Sequence, residues 1–108
     1  MPATQEAVAI YRELASANPG RYRPDVARSL TNLGIRHAEL GRPADAIPSA
    51  LDAVAIYREL VSTDPDNHRR GLANSLQNLG VWYSQLGREP EAELASAEAK
   101  GLREKSYN

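Results

Sequence analysis

Apolar residues recur at three- and four-residue steps along most of the chain, and no run alternates apolar with polar positions as a half-buried strand would. That periodicity predicts an all-α protein of about five helices. Turn signals separate them at Asn18-Pro19-Gly20, Gly41-Arg42-Pro43, Asp64-Pro65-Asp66-Asn67 and Gly87-Arg88-Glu89-Pro90. The first helix, about residues 3–17, places Ala7, Ile10, Tyr11 and Leu14 on one face. The second, about 24–40, opens at Pro24-Asp25, where a missing amide is harmless and a carboxylate meets the positive end of the dipole. Its apolar stripe is Val26, Leu30, Leu33, His37 and Leu40, and Gly41 supplies the left-handed residue that ends it. The third, about 43–62, is apolar over much of its circumference and so expects neighbours on two sides. Pro48 within it predicts a lost backbone hydrogen bond and a place to bend. The fourth, about 67–86, carries Leu72, Leu76, Leu79, Tyr83 and Leu86, with Gly87 closing it. The fifth, about 90–104, has only Leu94 and Leu102 as large apolar residues and reads as an end cap or a frayed terminus.

The stripes are related. Ala7-Val8-Ala9-Ile10-Tyr11-Arg12-Glu13-Leu14 returns unchanged as residues 53–60, a spacing of 46 positions. The same spacing carries Ser29-Leu30 onto Ser75-Leu76, Asn32-Leu33-Gly34 onto Asn78-Leu79-Gly80, and Leu40-Gly41-Arg42 onto Leu86-Gly87-Arg88. Four blocks sharing one offset mark an internal duplication, and duplicated helical units stack into an array.

Leu30, Leu33, Gly34, His37, Gly41, Ala46, Ala50 and Ala53, with Leu76, Leu79, Gly80, Tyr83, Gly87, Ala92, Ser96 and Ala99 in the second copy, stand at the spacing of a tetratricopeptide repeat. The chain resembles that superfamily over essentially its whole length. It is most similar to the long-repeat, kinesin-light-chain-like type abundant in actinobacteria, through Leu30-Thr31-Asn32-Leu33-Gly34 and Leu76-Gln77-Asn78-Leu79-Gly80. The resemblance implies an α-solenoid of antiparallel helix pairs. Residues 3–17 are then the second helix of a truncated repeat, 24–62 repeat one and 67–104 repeat two, in a single domain over 1–108. The chain departs from the usual pattern in its spacing, since the common unit is about 34 residues. Leu30 and Leu76 stand where tryptophan is usual, Ala50 and Ser96 replace a large aromatic, and the terminal proline near Arg58 is missing. Gly34 and Gly80 lie inside good helices, where glycine costs about 1 kcal/mol against alanine. Close approach by the small residues Ala46, Ala50 and Ala53 would compensate.

Composition narrows the function. At 108 residues there is room for one small domain. A formal net charge of −1 gives no long-range pull toward nucleic acid or anionic membranes. Cysteine is absent, which removes disulfides, thiol nucleophiles and thiolate metal sites. No stretch approaches a membrane span and no leader pattern opens the chain, so a cytoplasmic protein is expected. Abundant alanine, with Lys100 and Lys105 the only lysines beside many arginines, fits a GC-rich bacterial genome. No nucleophile elbow or phosphate loop frames a serine or threonine. His37 takes the tyrosine position of the repeat and reads as a core-edge residue with its nitrogen satisfied. His68 reads as a solvated loop residue, and nothing completes a metal site. The chain is expected to be non-enzymatic and to use no metal or cofactor.

On a helical wheel Arg28, Thr31, Asn32, Ile35 and Glu39 fall opposite the second helix's apolar stripe, and Asn74, Gln77, Asn78, Val81 and Gln85 are their counterparts in the fourth. The resemblance implies that these residues line a concave face that binds an extended peptide or a partner helix, with Asn32 and Asn78 contacting a peptide backbone. An amide suits that task because it donates and accepts together. A merely wet polar face is the plainer reading of the same residues. Trp82, beside this face, is expected to pack between repeats while staying partly exposed at the groove edge. Arg21, Arg23 and Arg28, interleaved with Tyr22, could meet phosphate, but Asp25 and Glu39 make an ordinary mixed-charge surface the better reading. Two functions follow: a scaffold binding a protein or peptide partner, or an oligomerisation module, part of a longer array in a larger signalling protein. In the second, exposed end helices would pair as a homodimer, stack end to end or exchange.

Overall fold

In the computed structural model, which describes residues 2–105, five helices follow one another with hardly any chain between them: α1 Pro2–Ala17, α2 Pro19–Glu39, α3 Pro43–Thr63, α4 Pro65–Gln85 and α5 Glu89–Lys105. Two of the links are single residues, Asn18 and Asp64. Each is followed by proline at the first helical position, where the absent N–H is one the helix could not have bonded anyway. The Asn18 side chain accepts from the Arg21 backbone N–H at 3.4 Å and so caps α2. The helix therefore begins at Pro19 and not at Pro24, as the turn chemistry alone suggests. Pro24 sits inside it, early enough that only a carbonyl near the exposed start loses its donor. Pro48 occupies the same place relative to the start of α3, which runs unbroken past it.

The other two links turn on glycine. Gly41 and Gly87 have φ of 75° and 76°. Gly41 N–H donates to the Ala38 carbonyl and Arg42 N–H to the His37 carbonyl, both at 2.9 Å. Gly87 and Arg88 repeat the pattern on Ser84 at 3.0 Å and Tyr83 at 2.8 Å. These paired bonds satisfy carbonyls that the helix end leaves free.

Consecutive helices pack in pairs, α1 on α2, α2 on α3, α3 on α4 and α4 on α5, and α2 also touches α4. Contacts sort them into two layers. Thr31 of α2 meets Ser75 of α4 at 3.0 Å, whereas ion pairs Arg12–Asp52 and Arg58–Glu98 join α1, α3 and α5. The fold measures 39 × 38 × 16 Å, one helix length by the width of the stack by two layers.

Between the layers lie Val26 and Leu30 of α2, Ala50, Ala53, Val54 and Tyr57 of α3, and Leu72, Leu76, Leu79 and Trp82 of α4. Helix α3 has the two neighbours its apolar girth required. Gly80 admits α5: a methyl group there would stand 2.6 Å from Ser96 Oγ and 3.2 Å from the Ala92 carbonyl. A methyl group at Gly34 would stand 3.4 Å from the Ala46 carbonyl, and closer still, at 3.0 Å, to the Trp82 ring. The predicted stripes need four corrections. Leu40 and Leu86 end up at helix caps and are 58 % and 38 % exposed. In α1 Val8 is the buried residue, while Ile10 and Leu14 are 56 % and 38 % exposed. Leu94 is 74 % exposed, because α5 packs through its alanines, Ala92, Ala95 and Ala99. Finally, α5 is a full helix to Lys105 and not a frayed end.

Candidate functional site

Helices α2 and α4 lie side by side in the same layer, and between them runs a trough of about 400 Å³. Arg28, Thr31, Asn32 and Ile35 line it from α2; Gly71, Asn74, Gln77 and Asn78 line it from α4; Tyr57 of α3 closes its floor. The duplication explains why the walls match: the same helical face is presented twice, one repeat apart. Seven of the residues predicted to face a partner thus share one concavity. Glu39, Val81 and Gln85 are exposed but stand outside it, and Glu39 is bonded to Arg36 at 2.6 Å.

The polar groups of the trough are mostly unspent. Among the described residues the side chains of Asn32, Gln77 and Asn78 make no hydrogen bond with the chain. Thr31 is less available, since its hydroxyl donates to the Ala27 carbonyl at 3.1 Å and meets Ser75 Oγ. Arg28 is tied to Asp25. Asn74 Oδ1 accepts from Arg103 Nη2 of α5 at 3.0 Å.

Tyr57 and Gly71 were not singled out in the sequence. Glycine at 71 leaves room for the tyrosine ring, since a methyl group there would stand 2.5 Å from Cε1 and 2.7 Å from Cζ. The signal was present: Gly71 is a third glycine inside a helical stretch and stands where the first copy has Asp25. Burial raises the Tyr57 phenol's pKa above its ordinary value, with the Arg28 charge pulling partly the other way, so the hydroxyl keeps its proton at neutral pH.

Trp82 corrects an expectation. It is 5 % exposed, buried over Gly34 at the junction of the two repeats, and it does not reach the groove edge. His37 is at the core margin as expected, but its Nδ1 is buried without a hydrogen-bond partner. His68 lies inside α4, half-buried, with Nε2 3.9 Å from Asp64 Oδ2. The arginines near the start of α2 are engaged: Arg23 with Glu59, Arg28 with Asp25, and Arg21 over the Tyr22 ring at 5.3 Å. Among the described residues no cluster of histidine and carboxylate side chains could hold a metal ion, and no helix is long and apolar enough to cross a membrane.

The family model described as Tetratricopeptide repeat matches residues 26–69 and 72–108. No curated protein and no solved structure matches the chain.

Proposed function

The chain belongs to the tetratricopeptide repeat family, whose repeats generally mediate protein–protein interaction, and from that premise we propose that the trough between α2 and α4 binds an extended peptide segment of a protein partner. The observation that carries this reading is the convergence of unbonded amides on one concavity. Asn32 and Asn78 occupy equivalent places on neighbouring helices, and each can donate to and accept from a peptide backbone. Nothing in the trough resembles a reacting centre, which supports a binding role. The 46-residue spacing and the Leu-x-Asn-Leu-Gly pattern further support the long-repeat, kinesin-light-chain-like type, and the abundance of alanine and arginine fits a bacterial source.

The test is substitution. Asn32→Ala with Asn78→Ala is expected to weaken a partner's binding by roughly tenfold or more, at about 1 kcal/mol for each lost hydrogen bond. The exposed Asn32 and half-exposed Asn78 can be removed with thermal unfolding unchanged, and unchanged affinity would reject the groove.

One observation favours assembly as a second role. Ala7, Ile10 and Leu14 of α1 copy Ala53, Ile56 and Leu60 of α3. In α3 these residues are buried or half-buried, whereas Ile10 and Leu14 are exposed. A second copy of the chain, bringing its own α1, would cover this stripe.

A further inference from the structure

The duplication shows what one face of α1 lacks. Ala7, Ile10, Glu13 and Leu14 stand 46 positions before Ala53, Ile56, Glu59 and Leu60 of α3. In α3 the alanine is buried, Ile56 and Leu60 are half-buried against the core, and the Glu59 carboxylate beside them is bonded by Arg23 of α2. In α1 Ile10 and Leu14 are exposed, and the Glu13 carboxylate has no partner among the described residues. Seven positions earlier, on the same edge of the helix, the Glu6 carboxylate is equally unspent. Its counterpart Asp52 is paired with Arg12 at 3.6 Å.

The same face runs into a concavity of about 370 Å³ between α1 and α2, with Thr4 and Ala7 on one wall and Ser29 on the other. The counterparts Ala50, Ala53 and Ser75 are all buried, and Ser75 Oγ meets the Thr31 hydroxyl at 3.0 Å. Ser29 Oγ has no partner among the described residues. Apolar stripe, carboxylate edge and hydroxyl are thus all present on α1 and α2, and each is spent one repeat later. We propose that this face seats an amphipathic helix of a protein partner, apolar on one side and carrying an arginine or lysine that bonds Glu13, as α2 does for Glu59 of α3. The surface is separate from the trough and does not depend on the peptide reading above.

Charge separates this occupant from a second copy of the chain. A second α1 would cover the stripe, but its one basic side chain, Arg12, is already paired with Asp52, and it would bring two more unmatched glutamates. The far end of the stack offers no better match, since Glu104 stands where α1 and α3 have Arg12 and Arg58. A basic helix meets both needs: burying the apolar stripe supplies attraction, and the acidic edge selects the sign of the partner's charge.

The probe is a synthetic N-acetylated, C-amidated peptide with the sequence of residues 18–40, which keeps the Asn18 cap and Arg23. It is titrated into the ¹⁵N-labelled chain while backbone amides are followed. The amides around Ala7, Ile10 and Leu14 are expected to shift, and Ile10→Glu in the chain should abolish the shifts. A peptide carrying Arg23→Glu should bind roughly fivefold more weakly, the worth of one exposed ion pair. Glu13→Arg in the chain should reverse that order, so that the Arg23→Glu peptide binds more tightly. Both chain substitutions fall at exposed positions, and unchanged thermal unfolding shows that they fold. No shift on α1 at millimolar peptide, or a charge order that Glu13→Arg leaves as it was, overturns the proposal. A dimer through α1 that the peptide does not displace also overturns it and gives the face to a second copy.

Discussion

Gly71 and Gly101 are both glycines inside helices, and their surroundings decide opposite outcomes for the same substitution. At Gly71 an added methyl group meets the Tyr57 ring at 2.5 Å; at Gly101 nothing lies within 4 Å. Replacing a helical glycine with alanine gains up to about 1 kcal/mol in propensity, and overpacking a buried site costs about 1–3 kcal/mol. Gly101→Ala is therefore expected to raise the unfolding free energy, and Gly71→Ala to lower it by about 1 kcal/mol, in urea titrations of the two variants. An alanine at 71 that stabilises the fold would show that the tyrosine ring moves freely, and with it the floor of the trough. Sequence alone singles out a helical glycine as costly. What compensates it, a ring in one case and open space in the other, depends on which residues of other helices arrive there.

The helices themselves show how far local chemistry reaches. Gly41 and Gly87 were legible because a left-handed residue followed by arginine at the end of an apolar stripe has one economical conformation. The start of α2 was not, because Pro24-Asp25 is as good a local start signal as Asn18-Pro19; in the structure the earlier one prevails, with the Asn18 side chain capping the helix. One large side chain spans α2 and α4 at the junction between repeats. Trp82 reaches from α4 to Gly34 of α2, where an added methyl group would touch its ring at 3.0 Å. Trp82→Ala should cost about 3–5 kcal/mol, a large share of the roughly 5–15 kcal/mol that a domain possesses. Circular dichroism during thermal melting should show a markedly lower or broadened transition. A melt within a degree or two of the parent would mean that the repeats are held together elsewhere.

At the scale of the whole molecule, the described residues form a trough lined by unbonded amides between α2 and α4 and an exposed apolar stripe on α1. If the stripe pairs two copies, light scattering behind size-exclusion chromatography should give a dimer at high concentration that Ile10→Glu returns to monomer; a monomer at every concentration removes that role. The duplication, the all-helical class, the glycine caps and the matched polar faces of α2 and α4 were determined by the sequence itself, because each is set by periodicity or by residues adjacent along the chain. Seven of the trough's lining residues followed from the same wheel. Tertiary structure alone decided the rest: that Tyr57 floors the trough, that Trp82, expected between the repeats, is withdrawn from the groove edge, that Leu94 and Ile10 face outward, and that Arg103 turns the Asn74 amide. Each of these depends on a neighbour from another helix, and the spacing of residues along one chain carries no record of which neighbour that is.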